Sequence, residues 1–197
     1  MNNSKFDILI SGVGGQGTVL ASRLIAAAAI KQGIFARTSE TIGMSQRGGC
    51  VVSHVRLNSE KSSSIIPLLT ADMLIAFELS EAARALPRLR KDGCCIVNTQ
   101  IIRPVSASLG TSQYDSAQIT NFIKDNSSEV YFIDGYDIAE TAGNVKAVNV
   151  VLLGAAAAAG KMPFSREVIL EAIVENVPQK FRELNKRAFE LGFEAIS

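Results

Sequence analysis

The sequence predicts an α/β fold: a Rossmann-like layered domain with a mostly parallel or mixed sheet and a helical C-terminal third. Three observations carry this expectation. An apolar run at residues 6–11 passes through glycines into an alanine- and leucine-rich stretch at 19–30, then into a second extended run at 34–40. That strand–turn–helix–strand order builds a sheet that is at least partly parallel. Short apolar or alternating runs recur at residues 50–57, 72–77, 94–98 and 130–134, and from residue 145 onward the apolar spacing is helical.

Taken in order, residues 6–11 (FDILIS) read as a short buried strand. Residues 19–30 (VLASRLIAAAAI) form a helix that Gly33 stops. Residues 34–40 make the second strand, and a loop of small residues, 41–49, leads to CVVSHVRL at 50–57. There Val51, Ser53, Val55 and Leu57 alternate with Val52, His54 and Arg56, the period of a strand. Residues 58–64 are polar and turn-like. Residues 72–77 (DMLIAF) are an apolar strand, followed by a helix from about Ser80 that meets Pro87. Residues 94–98 form a strand entered through an Asp92-Gly93 turn, and 130–134 (VYFID) the last central strand. Residues 145–159 are apolar nearly all round, which predicts a buried helix. Ser165 reads as an N-cap, with Glu167 in the first turn and Val168, Ile169, Ala172 and Ile173 on one face; Pro178 ends that helix. Phe181, Leu184, Ala188 and Leu191 then repeat along a final amphipathic helix. Neither a repeat nor a low-complexity linker interrupts the chain, so one domain is expected over 1–197.

Composition excludes several functions. The 197 residues are 47% hydrophobic, enough for a core, so disorder as a class is out. Twenty basic against 19 acidic residues leave a net charge of +1, which gives no general attraction to nucleic acid or anionic lipid. The absence of tryptophan argues against stacked-base recognition. Cys50 and the adjacent Cys94 and Cys95 offer neither a disulfide framework nor a metal or cluster site, and point to a reducing, cytoplasmic compartment. The longest apolar stretches are too short for a signal peptide or a membrane span. A mean hydropathy of +0.20 hints at a buried subunit interface.

The chemistry concentrates in a glycine turn. Gly12, Gly14 and Gly17 match G-x-G-x-x-G between a strand and a helix, and Gly15 and Gln16 lie within it. Gly12 would permit the tight turn, Gly14 the approach of a phosphate, and Gly17 close packing of helix on strand. The helix start adds unpaired N–H groups and a partial positive charge, and Thr18 adds a hydroxyl. The alternative is that the glycines only tighten the turn. Glu40, 23 residues after Gly17, keeps a nicotinamide or flavin dinucleotide as a rival ligand.

A second motif is Gly43-Met44-Ser45-Gln46-Arg47-Gly48-Gly49, in which glycines flank a guanidinium suited to a carboxylate, a phosphate or an acidic partner. A solvated connector is the plainer reading. His54, the single histidine, reads as a hydrogen-bonded structural residue, and the cysteines as small apolar strand residues. No G-x-S-x-G elbow is present.

The segments GVGGQGTVLAS, SETIGMSQRGGCVVSHVR, ADMLIAFELSEAARALP, VNTQ and AVNVVLLGA together resemble the gamma-type subunit or domain of the 2-oxoacid:ferredoxin oxidoreductases, over almost the whole chain. Within that superfamily SQRGG…SHVR, VNTQ and NKRAFELG are most similar to the small (beta) subunit of indolepyruvate:ferredoxin oxidoreductase. The resemblance implies an enzyme active only with a large partner subunit, as a heterodimer or higher assembly. It implies thiamine diphosphate, magnesium and iron–sulfur clusters on that partner, ferredoxin as acceptor through the complex, and coenzyme A as co-substrate. No cofactor is expected to bind tightly to this chain alone. The resemblance makes Gly12, Gly14, Gly15, Gln16, Gly17 and Thr18 the seat for coenzyme A phosphates. It turns the loop of Met44, Gln46, Arg47, Gly48 and Gly49 toward the thiamine or acyl-acceptor region at the subunit junction, and Glu40, which runs directly into that loop, is grouped with it as a substrate or subunit-junction segment. It assigns no catalytic proton-transfer residue and no metal ligand. A self-contained dinucleotide-binding redox protein and a purely structural assembly subunit remain as alternatives.

Overall fold

The fold is that of a computed structural model describing residues 4–43, 48–103 and 114–196. Strands β1 (Phe6–Val13), β2 (Ala36–Ile42), β3 (Cys50–Leu57), β4 (Ala71–Ala76), β5 (Leu89–Asn98) and β6 (Glu129–Ile133) form one sheet of order β2-β3-β1-β4-β5-β6. β1, β4, β5 and β6 run parallel, while β3 is antiparallel to both β1 and β2. The mixed sheet agrees with expectation. β1 and β2, however, are not neighbours, because β3 lies between them.

One face of the sheet is covered by α1 (Thr18–Lys31) and by the helices of the C-terminal third: α5 (Val148–Ala158), α6 (Arg166–Asn176) and α7 (Arg182–Glu194). The other carries α2 (Leu79–Ala85) and α3 (Ser116–Asp125). A shorter helix, α4 (Gly135–Ala142), follows β6 and adds Ala139 and Ala142 to the first core. β1 therefore leads to a helix on one face, and its parallel neighbour β4 to a helix on the other. The crevice between their C-terminal ends is the topological switch point, where open α/β sheets bind ligands.

α1 ends as its sequence predicts. Gly33 is left-handed at φ 70°, and Ile34 N donates back to Ala29 O at 3.0 Å, closing a Schellman motif. The buried helix expected at 145–159 is a short 3-10 turn, Val145–Ala147, leading into α5. Gly154 of α5 and Gly192 of α7 meet at the helix crossing. An added Cβ on Gly154 would lie 2.1 Å from Phe189 O, and one on Gly192 2.1 Å from Val151 O.

Four expectations need correction. β5 runs unbroken through Asp92-Gly93, which is an irregularity inside the strand rather than a turn: Ala71 pairs with Leu89 but Met73 pairs with Cys94. Gly93 fits because a Cβ there would sit 2.6 Å from Leu89 Cδ1. β6 is an edge strand, not a central one, and its first four residues are only half-buried. Ser165 holds the N-cap position without capping by its side chain; its hydroxyl bonds the Glu167 carboxylate and holds that carboxyl below its usual range. Leu184, Ala188 and Leu191 of α7 pack on the core as expected, joined by Asn185, Phe189 and Gly192, whereas Phe181 precedes the helix and is exposed.

A buried charge cluster closes the end of the sheet opposite the glycine turn. Asp7 of β1 receives both arms of the Arg56 fork from β3, at 2.9 Å each, and its own amide donates to Asp72 at 2.6 Å. Arg56 also donates to Ser63 O and Ile65 O, and Arg37 to Glu60 O, so arginines clasp the connection between β3 and β4 through its carbonyls.

Candidate functional site

The glycine turn lies at the switch point. β1 extends to Val13, so Gly12 is a strand residue, and its missing Cβ makes room for the Gln16 amide, Thr18 and Phe77, all within 2.9 Å of where that atom would be. Gln16 folds back into the crevice. Its Oε1 accepts from Val13 N at 2.7 Å, and its Nε2 donates to Phe77 O at 3.1 Å beyond the end of β4. Asn98 Nδ2 donates to the same carbonyl at 3.0 Å, and Asn98 Oδ1 accepts from Gly135 N at 2.9 Å. One amide network thus ties the ends of β1, β4 and β5 to the start of α4. Fully satisfied buried networks of this kind hold a site rigid.

The exposed side of the turn remains open. Gly15 is left-handed at φ 95° with nothing within 4 Å of its Cβ position. Gly17 is left-handed at φ 92°, and its close neighbour is Asn149 of α5, not the sheet. No side chain caps α1, so its first-turn amides have no partner within the helix. Gly15, Gln16, Gly17, Tyr136, Lys146 and Asn149 line a cleft of 420 Å³ beside these amides. Lys146 is exposed there and makes no ion pair among the described residues. The turn therefore fits a phosphate: open amides, a positive helix end and one lysine ammonium.

The two glycine motifs meet in space. Gly14 N donates to Gly49 O at 2.9 Å, which commits that amide within the chain, and Gly48 lies against Val13. Met44, Gln46 and Arg47 lie outside the described residues. Glu40 does not reach the turn. It is exposed on β2, opposite Ser53, which in turn faces Ile10 of β1. Two inter-strand spacings, roughly 10 Å, separate it from β1. An acidic residue gripping a ribose needs the strand next to β1. The interposed β3 therefore argues against a dinucleotide site of that kind.

His54 has no place in the cleft. It is 1% exposed, and its Nδ1 accepts from Ile66 N at 3.2 Å. Burial, with Arg88 and Arg56 nearby, pushes its pKa down to about 4. The unfolded chain takes up this proton near pH 6.5 and the folded chain near 4, so stability falls as pH drops through that window. The expected loss is about 3 kcal/mol. His54→Asn keeps an acceptor for Ile66 N, and urea titrations at pH 7 and pH 4 should show a smaller acid-induced loss in that variant.

Burial also pushes the Cys50 and Cys94 thiols up to about 12 and raises Cys95, so none is a thiolate at neutral pH. Among the described residues no group of histidine, cysteine, aspartate or glutamate could hold a metal ion. No described helix is long and apolar enough to cross a membrane. Sequence reasoning missed Lys146, Asn149, Tyr136 and Asn98 as neighbours of the turn. Asn149, a polar residue inside the VNVVLLGA run, was the available signal.

An open glycine turn lies at the switch point of a mixed α/β sheet, laced by Gln16 and Asn98. This chain belongs to the pyruvate ferredoxin/flavodoxin oxidoreductase family, whose model matches residues 7–195. It is 37% identical to the indolepyruvate oxidoreductase subunit IorB of Thermococcus kodakarensis, across 97% of this chain and 96% of that one. Identity to the IorB subunit of Archaeoglobus fulgidus is 39%, across 98% and 96%. The crystal structure of the keto/oxoacid ferredoxin oxidoreductase gamma subunit from Geobacter sulfurreducens superposes with a TM-score of 0.71 at 28% identity, covering 97% of this chain and 98% of that one.

Proposed function

We propose that this chain is the small, cluster-free subunit of a cytoplasmic 2-oxoacid:ferredoxin oxidoreductase that accepts indolepyruvate and related aryl pyruvates. Full-length similarity to IorB subunits is the observation that carries this reading. The chain acts as one gamma-type domain and works only with a large partner. When bound on that partner, thiamine diphosphate with magnesium supplies the decarboxylation chemistry, and iron–sulfur clusters there lead to ferredoxin.

This chain's own contribution is to bind and orient coenzyme A. The amides of Gly15, Gly17 and Thr18 and the ammonium of Lys146 take its phosphates. The Gln16–Phe77–Asn98 network keeps the cradle in place before the ligand arrives, so little ordering is left to binding. Gly48 and Gly49 fix one end of the junction segment against the turn, and Glu40, Met44, Gln46 and Arg47 belong to the face that meets the partner.

Co-expression with a large, thiamine-binding, cysteine-rich subunit, followed by ferredoxin-reduction assays on several 2-oxoacids, tests the reading. The expected result is no turnover by the lone chain, coenzyme A-dependent turnover by the complex, and the highest kcat/KM for indolepyruvate. Full turnover by this chain alone would reject it.

A further inference from the structure

The two edges of the sheet are finished differently. β6 is short, and two lysines lean on it: Lys161 pairs with Glu129 at 3.0 Å, and Lys124 lies over the Phe132 ring at 5.6 Å. Short length and lysines are common guards against edge-to-edge pairing. β2 has neither. Its seven residues, ARTSETI, include no lysine and no proline, and they pair with β3 in an unbroken register without a bulge. Among the described residues, its outer row of N–H and C=O groups bonds to no other backbone. Glu40, Thr41 and Ile42 at its end are exposed, Ile42 to 68%. We propose that this edge pairs antiparallel with the same edge of a second copy, across a two-fold axis at Ser39, and joins the two sheets into one.

The residues of the strand select both the occupant and the register. A two-fold axis perpendicular to the sheet keeps every side chain on its own face, so the axis passes through a residue and paired residues share a face. An axis at Arg37 or at Glu40 would set like charges against each other. An axis at Ser39 pairs all seven residues. Arg37 then stands opposite Thr41 of the second copy, Thr38 opposite its Glu40, and Ala36 opposite its Ile42. No like charges meet. The Thr38 hydroxyl can donate to the Glu40 carboxylate, and the exposed Ile42 gains an apolar neighbour.

The edge is also ordered in advance. Arg37 donates to Glu60 O and Ser62 O, and Ser39 donates to Ser64 O at 3.0 Å, so the connection between β3 and β4 braces one face of the strand through side chains and leaves the edge open. A strand already held in place loses little further freedom on pairing. Arg37 makes no ion pair among the described residues, so its charge is available to whatever stands opposite it. The contact lies two strands away from β1 and its glycine turn. Glu40 sits where the second copy and the large subunit meet. An extended segment of an unrelated polypeptide is the other occupant that such an edge admits.

Sedimentation of the full chain over a concentration series, alone and with its large subunit, tests this pairing. The parent is expected to dimerise, so that each assembly holds two copies of this chain. Thr41 is exposed, so Thr41→Arg and Thr41→Glu should both fold. Thr41→Arg opposes Arg37 twice across the axis and should weaken dimerisation about tenfold. Thr41→Glu gives Arg37 a carboxylate and should keep the dimer or tighten it. Hydrogen exchange gives a reading that needs no variant: the outward amides of residues 36–42 should slow as concentration rises. A parent that stays monomeric alone and enters the complex as a single copy overturns the proposal. Equal dimerisation of the two Thr41 variants, or a dimer whose β2 amides are unchanged, overturns it as well. Slowing of those amides only when the large subunit is added would assign the edge to that subunit and overturn the pairing. The functional reading is decided separately, by ferredoxin reduction in the assembled complex.

Discussion

Gly192→Ala is expected to cost about 3 kcal/mol or more of stability. The new Cβ would lie 2.1 Å from Val151 O and 2.8 Å from Val151 C, so it meets backbone, and no side-chain rotation relieves the clash. α5 and α7 would have to separate. Their crossing is reciprocal, with Gly154 making the same approach to Phe189 O, and it closes the core over the first face of the sheet. Urea unfolding should show a lower midpoint at unchanged slope. Gly14→Ala is the matching control, because its Cβ meets nothing closer than Gly49 O at 3.7 Å and should leave the midpoint in place.

The second large effect comes from the buried ion pair. Asp7→Asn leaves the Arg56 guanidinium, 3% exposed, without its carboxylate. Breaking a buried pair from one side typically costs about 3–5 kcal/mol, because the remaining charge stays desolvated and uncompensated. Arg56 also holds Ser63 O and Ile65 O, so the damage should spread to the connection between β3 and β4. Hydrogen exchange should become faster in residues 58–66 while the glycine turn at the other end of the sheet keeps its protection. Equal loss of protection at both ends would show that the cluster supports the whole fold rather than this connection.

Local chemistry was readable in the sequence, and spatial neighbours were not. The run 6–11, its glycines and the alanine-rich stretch gave β1 and α1, because apolar length, a left-handed stop at Gly33 and helix formers are properties of consecutive residues. The alternation in Cys50–Leu57 gave β3 but only as two faces; nothing in it says that β3 would slot between β1 and β2 and carry Glu40 away from the turn. α3 and α4 escaped notice because they are short and partly polar, although Asp115 and Asp134 cap them through their carboxylates. The same limit applied to the site. The glycine turn was visible as a motif, whereas Lys146 and Asn149 lie more than 120 residues away and come to it only through the packing of α5 on α1.

The central claim is that the open amides of this turn hold a phosphate. Gly15→Asp and Gly15→Asn impose the same backbone strain at φ 95° and nearly the same shape, and both residues enter the left-handed region more readily than others. They differ by one negative charge placed at the cradle. In the assembled complex, the aspartate variant should show an apparent KM for coenzyme A at least tenfold above that of the asparagine variant, with matching KM for the 2-oxoacid. Equal coenzyme A values in the two variants would contradict the account.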